Sequence, residues 1–170
     1  AERWNMLHPT EPPRRSYVGD CLAGADLLQA DYGVSADVWS ATSFTELRRD
    51  GLAAERWNML HPTEPPRRSY VGDCLAGRRG PVVAATDYVK SFADQIRAFV
   101  PGRYLVLGTD GYGRSDYRRN LRRFFEVDRH YVAVAALASL AQDGTIPAAT
   151  VAEAIARYGI DPGKPDPLLV

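Results

Sequence analysis

Residues 1–24 and 54–77 are the same sequence, AERWNMLHPTEPPRRSYVGDCLAG, with unrelated residues between them. Nothing else constrains the fold as strongly, because one small domain cannot offer the same neighbours to the same residues twice. Repeat architectures show diverged copies at a fixed period, usually three or more of them. Two identical copies read instead as a recent duplication, an assembly error or an artefact. Local propensity is the same in both, so any structural difference must come from tertiary context. The second copy is tied at both ends, to TELRRDG before it and the apolar run at Val82 after it; the first is free at Ala1, where termini fray unless anchored. The expectation is a poorly packed duplicated segment over 1–24, a domain over 25–170, and Ser16 to Cys21 drawn in as a strand beside Ala36–Thr42.

The stretch VVAATDYVKSFADQIRAFVPGRYLVLGTDGYGRSDYRRNLRRFFEVDRHYVAV, 82–134, reads as strand, helix, strand, glycine turn, helix, helix. Val82–Ala85 and Tyr104–Leu107 are short apolar runs suited to buried strands. Thr86 or Asp87 is placed to cap a helix whose stripe is Val89, Phe92, Ala93, Ile96 and Val100, stopped by Pro101-Gly102. Ser115 or Asp116 is placed to cap a helix carrying Leu121, Phe124 and Phe125. A strand that runs through glycines into a helix is where open α/β sheets put ligands or interfaces.

Upstream, Ala25–Tyr32 reads as the end of an amphipathic helix stopped by Gly33, and Ala36–Thr42 as a strand. Ser43 to Glu46 forms a capping box. The helix it opens is expected to end or bend at Gly51 and resume from Ala53 to Leu60. His61 begins a proline-rich loop. Downstream, Asp128 caps a helix from Arg129 to Gln142, ended by Gly144. Pro147 opens a last helix with Val151, Ala154, Ile155 and Tyr158 on one face, closed by Gly159, and Asp161–Val170 forms a tail that packs extended or frays. The predicted core is Phe92, Ile96, Leu105, Leu107, Leu121, Phe124, Val134 and Leu137.

The runs VVAATDYVKSFADQIR, VLGTDGYGRSD and NLRRFFEVDRHYV, with ADVWSATSFTELRRDG and ERWNMLHP upstream, occur in an order that resembles one family over residues 25–170. It is similar to the C-terminal domain of the homodimeric, thiamine-dependent first component of the pyruvate dehydrogenase complex. The resemblance implies a transketolase C-terminal-like α/β/α sandwich of three layers with a mostly parallel sheet. It also implies a domain that helps build the homodimer and supports the active-site region. In such enzymes pyruvate is decarboxylated on thiamine diphosphate with magnesium, and the acetyl unit passes to a lipoyl group on the second component. The two preceding domains hold the cofactor. This chain has no Gly-Asp-Gly run followed downstream by an Asn-Asn pair, so no cofactor, metal or catalytic residue carries over. The implied partners are the remaining domains of the parent enzyme, a homodimer mate and the lipoyl-bearing component. The duplicated segment stands where the family has an internal strand, so the sheet is expected to lack one. Tyr117 and Arg119 depart from the family's small hydroxyl residue and acid.

Composition narrows the remaining classes. At 170 residues the chain fits one domain, long enough to bury roughly 70% of its unfolded surface. The formal charge is zero, giving no general attraction to nucleic acid or anionic membrane. The absence of a long apolar run or leader pattern points to the cytoplasm. Cys21 and Cys74 are too few for a disulfide framework, and each reads as a free buried thiol.

The candidate site is the turn GTDGYGRSD, 108–116, through Asp110, Gly111, Gly113, Arg114, Ser115 and Asp116. It matches neither GxGxxG nor GxxxxGK[ST]. A calcium loop would need a D-x-[DN]-x-[DN]-G pattern with a Glu at its twelfth position, absent here. Two readings stay open: an interface turn whose Arg114 meets a carboxylate of this chain or its mate, and a free-standing α/β module binding a small anion at Gly108–Ser115, where helix N–H groups favour negative charge. Arg118, Arg119, Arg122 and Arg123 recur at helical spacing as a solvated basic face. His61 reads as a solvated or backbone-bonded imidazole, and Trp39 and Trp57 as core or interface anchors.

Overall fold

The computed structural model describes residues 18–170. Helix α1 spans Val18–Tyr32 and is stopped by Gly33 at φ 64°. An irregular segment leads to α2, Phe44–Leu60, where the Ser43 hydroxyl accepts the Glu46 N–H. Helix α3, Tyr70–Leu75, opens on Ser69, whose hydroxyl accepts the Gly72 N–H at 3.1 Å. Strand β1, Val82–Ala85, is followed by α4, Lys90–Asp94, a 3-10 turn at Arg97–Phe99, and strand β2, Tyr104–Leu107. Helices α5 (Arg118–Phe124), α6 (Arg129–Gln142) and α7 (Ala148–Arg157) complete the described chain. Asp128 caps α6 by accepting both the His130 and Tyr131 N–H groups.

The two strands pair in parallel, Val82 opposite Tyr104 through Ala85 opposite Leu107. On one face Val82, Ala84, Tyr104 and Val106 meet Val71 of α3, Ala93 of α4, and Ile96 and Val100 on either side of the 3-10 turn. On the other, α6 lies against both strands and carries α1 and α7 on its far side, with Leu28, Ala133, Leu137 and Ala154 buried between the helices. The layers are helix, sheet, helix, as expected, around a sheet of two strands among the described residues. Tyr104 is fixed at the centre: its hydroxyl donates to Ala93 O at 2.9 Å. Burial, and then the charge of Asp94, push that phenol up to about 12 against the pull of Arg97.

Several expectations fail for identifiable reasons. Val18–Cys21 is helical, not a strand, and the boundary expected between residues 24 and 25 lies inside α1. Residues 1–17, and with them the expected disorder of the first copy, lie outside the described residues. Ala36–Thr42 is not a strand. Among the described residues it has no strand to pair with: Asp37 bonds Arg78 at 2.8 Å, and Trp39 stays 53% exposed with the Arg78 guanidinium over its ring. Gly51 does not break α2. A Cβ there would lie 2.5 Å from the Phe99 ring, so the missing side chain is what lets Phe99 seat against the helix. Of the predicted core, Ile96 and Leu137 are buried, but Phe92 is 39% and Leu105 36% exposed. Leu107, Leu121, Phe124 and Val134 are half-buried. In β2 the strand alternation turns Tyr104 and Val106 inward and Leu105 outward, opposite to the parity expected.

Candidate functional site

Both strands end on the same side of the sheet, and the turns that leave them are bonded together. Thr109 N–H donates to Tyr88 O at 2.8 Å, and its hydroxyl to Asp87 O at 2.9 Å. The Asp110 carboxylate accepts the N–H of Lys90, the first residue of α4, at 2.9 Å. Asp110 is therefore the cap of α4, supplied from the far turn, which explains why neither Thr86 nor Asp87 serves. Thr86 instead accepts the Tyr88 N–H at 3.1 Å. Gly108 has no room for a side chain: a Cβ would come within 2.7 Å of Tyr88 O.

The rest of the predicted site is occupied from within the chain. Gly111, at φ 108°, lies under the C-terminal tail, where a Cβ would meet Pro167 O at 2.3 Å. Gly113 faces open space. Arg114 places its guanidinium 4.1 Å from the Phe124 ring centroid, not on a carboxylate. Asp116 accepts from Tyr117 N–H at 2.6 Å and from the Asn120 amide at 2.9 Å. Arg114, Ser115, Asp116, Asn120, Leu121 and Phe124 line an open depression of about 270 Å³. The helix beyond it starts at Arg118 rather than Ser115 and takes no side-chain cap from Tyr117. It has 7 residues, so the dipole argument for an anion has little helix behind it.

The arginine run is not a solvated face throughout. Arg122 bonds Asp20 of α1 at 2.6 Å and Asp87 of the first turn at 2.8 Å, with only 12% of its side chain exposed. Arg129 reaches the other Asp20 oxygen at 3.3 Å. Burial lowers the Arg122 pKa, and its two carboxylate partners more than offset that, so it is raised. Arg123 donates to the Tyr158 and Gly159 carbonyls, closing the end of α7. Helical spacing in the sequence put Arg122 and Arg123 on one face; nothing in it named their acceptors. Lys164, also missed, ties the tail down through Phe124 O at 2.6 Å and Glu126 at 3.0 Å. His61 Nδ1 lies 2.8 Å from Trp57 O, the backbone-bonded arrangement expected.

Around the joined turns the surface is aromatic and exposed. Tyr88, Val89, Phe92, Tyr112 and Tyr117 all face out, with Phe92 set edge-on to Phe44 and 5.4 Å from the Tyr88 ring. Among the described residues no three His, Cys, Asp or Glu side chains converge into a set that could hold a metal ion. No described helix is long and apolar enough to cross a membrane.

A parallel sheet between helical layers, with a glycine turn leaving the carboxyl end of its strands, defines an α/β domain. Residues 16–128 match the transketolase-like TK C-terminal domain family, and the chain belongs to that family. It is 64% identical over 145 residues to the pyruvate dehydrogenase E1 component of Pseudomonas aeruginosa, covering 85% of this chain and 16% of that protein. The Escherichia coli K12 counterpart is 56% identical over 146 residues, and that of Mycolicibacterium smegmatis 47% over 142, covering 85% and 84% of this chain and 16% and 15% of those proteins. The chain thus spans about a sixth of the length of the relatives it matches.

Proposed function

We propose that this chain is the C-terminal domain of a pyruvate dehydrogenase (acetyl-transferring) first component, and that it acts as a structural domain. Its role is to support the homodimer and the walls of an active site built elsewhere. The observation that carries this reading is the exposed aromatic surface at the carboxyl edge of the sheet. Exposed aromatic residues on and beside the joined turns, with the Tyr88 and Phe92 rings in contact, are the kind of surface that marks an interaction site. On this reading Asp110, Gly111, Gly113, Arg114, Ser115 and Asp116 form the turn that holds that surface in shape. The anion-binding alternative gains no support, because Asp110, Gly111 and Arg114 are all engaged within the chain.

Thiamine diphosphate and magnesium, which supply the decarboxylation chemistry in such enzymes, belong in this proposal to the other domains of the parent protein. The lipoyl-bearing second component is then a partner of the assembled enzyme, and the cytoplasm its compartment. The test is replacement of the matched region in the Pseudomonas aeruginosa protein by this chain. A dimeric hybrid is expected, and a Phe92→Ser, Tyr117→Ser variant should shift it towards monomer. A hybrid that stays fully dimeric with both substitutions would remove the basis for the reading. Calorimetric titration of the isolated chain with cofactor and magnesium should show no micromolar binding.

A further inference from the structure

Among the described residues, strand β1 has one partner, β2, and one unpaired edge. Its Val82 N–H donates to Arg103 O at 2.8 Å, and Thr86 N–H, just past its end, to Leu107 O at 3.0 Å. In a parallel ladder alternate residues serve the same neighbour, so Val82, Ala84 and Thr86 face β2 while Val83 and Ala85 direct their N–H and C=O groups the other way. Neither of those two has a hydrogen bond to any described residue outside the β1–β2 ladder. The opposite edge is partly closed, since Tyr104 O accepts the Arg97 guanidinium at 2.7 Å.

Natural edge strands are blunted by charge, by proline within the strand, by a bulge or by a covering element. From Gly80 to Thr86 the sequence is GPVVAAT, without a charge, and its proline precedes the ladder. We propose that this edge is a self-association surface and that its occupant is a second copy of the same chain, paired antiparallel through β1. The pairing is self-complementary. With a two-fold axis passing between the Ala84 residues, Val83 of one copy exchanges N–H and C=O with Ala85 of the other, and Ala85 with Val83. No like charges oppose each other along the strand, and the formal net charge of zero adds no repulsion between molecules. A closed two-fold contact of this kind ends at a dimer. The proposal rests on the sheet edge alone and is independent of the role given to the turn surface.

The contact is short, so it is expected to be weak, with a dissociation constant on the order of 10⁻⁴ M, as for small transient interfaces. Sedimentation of the 170-residue chain should show the 18.8 kDa species moving towards twice that mass as concentration rises. Ala85→Pro removes an outward N–H and no bond to β2, and should abolish the shift. If that variant does not fold, hydrogen exchange on the unaltered chain decides. The Val83 and Ala85 amides should gain protection with concentration while the Ala84 amide, bonded to β2 throughout, does not change. A chain that stays monomeric at about 1 mM, a dimer without added protection at Val83 and Ala85, or growth beyond a dimer would each overturn the proposal.

Discussion

The segment VGDCLAG occurs at 18–24 and again at 71–77, and both copies are helical at their start. They part at the final glycine. In α1 Gly24 is a buried helical residue; a Cβ there would lie 3.0 Å from Val132 Cγ1 of α6. In the second copy Gly77 adopts φ 72° and turns the chain out of α3, with the Arg78 N–H closing back on Leu75 O. The residues just after each glycine decide the outcome. After Gly24 comes ADLLQADY, whose Leu27 and Leu28 pack against α6 and α7, so continuing the helix buries apolar surface. After Gly77 comes RRGP, with nothing apolar to bury and a proline ahead. The aspartates diverge in the same way. Asp20 is buried between Arg122 and Arg129, whereas Asp73 is exposed and 3.5 Å from Arg68.

The sharpest way to break the comparison is to remove the two carboxylates. Asp20→Ala leaves the buried Arg122 with one partner fewer and should cost about 1.5–3 kcal/mol, the range for hydrogen bonds to charged groups. Asp73→Ala should cost under about 0.5 kcal/mol, as exposed ion pairs do. Equal denaturant midpoints for the two variants would mean that α1 is not held as described. The glycines should differ in kind more than in size. Gly24→Leu overpacks the α1–α6 contact by about 1–3 kcal/mol, and Gly77→Leu meets about 1–2 kcal/mol of left-handed strain. Shortening Val132 to alanine should relieve part of the first, since Arg129 O and the retained Cβ still crowd the position, and leave the second unchanged.

The smallest effect is in the thiols. Burial, then the charge of Asp20, hold the Cys21 thiol up from 9.0 to about 11 against the opposing pull of Arg122. The folded chain therefore keeps a proton that the unfolded chain releases. The stabilisation is complete below pH 9.0 and is lost as pH rises towards about 11. Replacing Cys21 by alanine should flatten that part of the stability profile. Alkylation of the native chain should likewise be slower at Cys21.

Where a local rule decides the structure, the sequence was legible. Ser43 with Glu46, Asp128 and Gly33 each act within a few residues of their own position, and each appears where their chemistry places it. The layered α/β class was legible from the order of apolar runs and from the family resemblance. The illegible parts depend on distant partners. Helix α3 was missed because its six residues follow a proline-rich loop and are held by Val71 packing against Ile96 and Val100. The cap of α4 was sought beside it and comes from Asp110, twenty residues on. The Arg122 knot joins residues 102 positions apart. At the candidate turn, the glycines announced a sharp bend, but not that Pro167 would lie over one of them.

The seat of Phe99 on the bare backbone of Gly51 also limits how this protein can change over generations. A methyl group at position 51 would stand 2.5 Å from the ring, inside any allowed contact. Substitution at 51 alone would force the Phe99 ring out of its seat, whereas a smaller residue at 99 opens the space first. The two positions form an ordered pair: 99 must give way before 51 can move, and a descendant carrying alanine at 51 should carry the record of that order in a shortened side chain at 99.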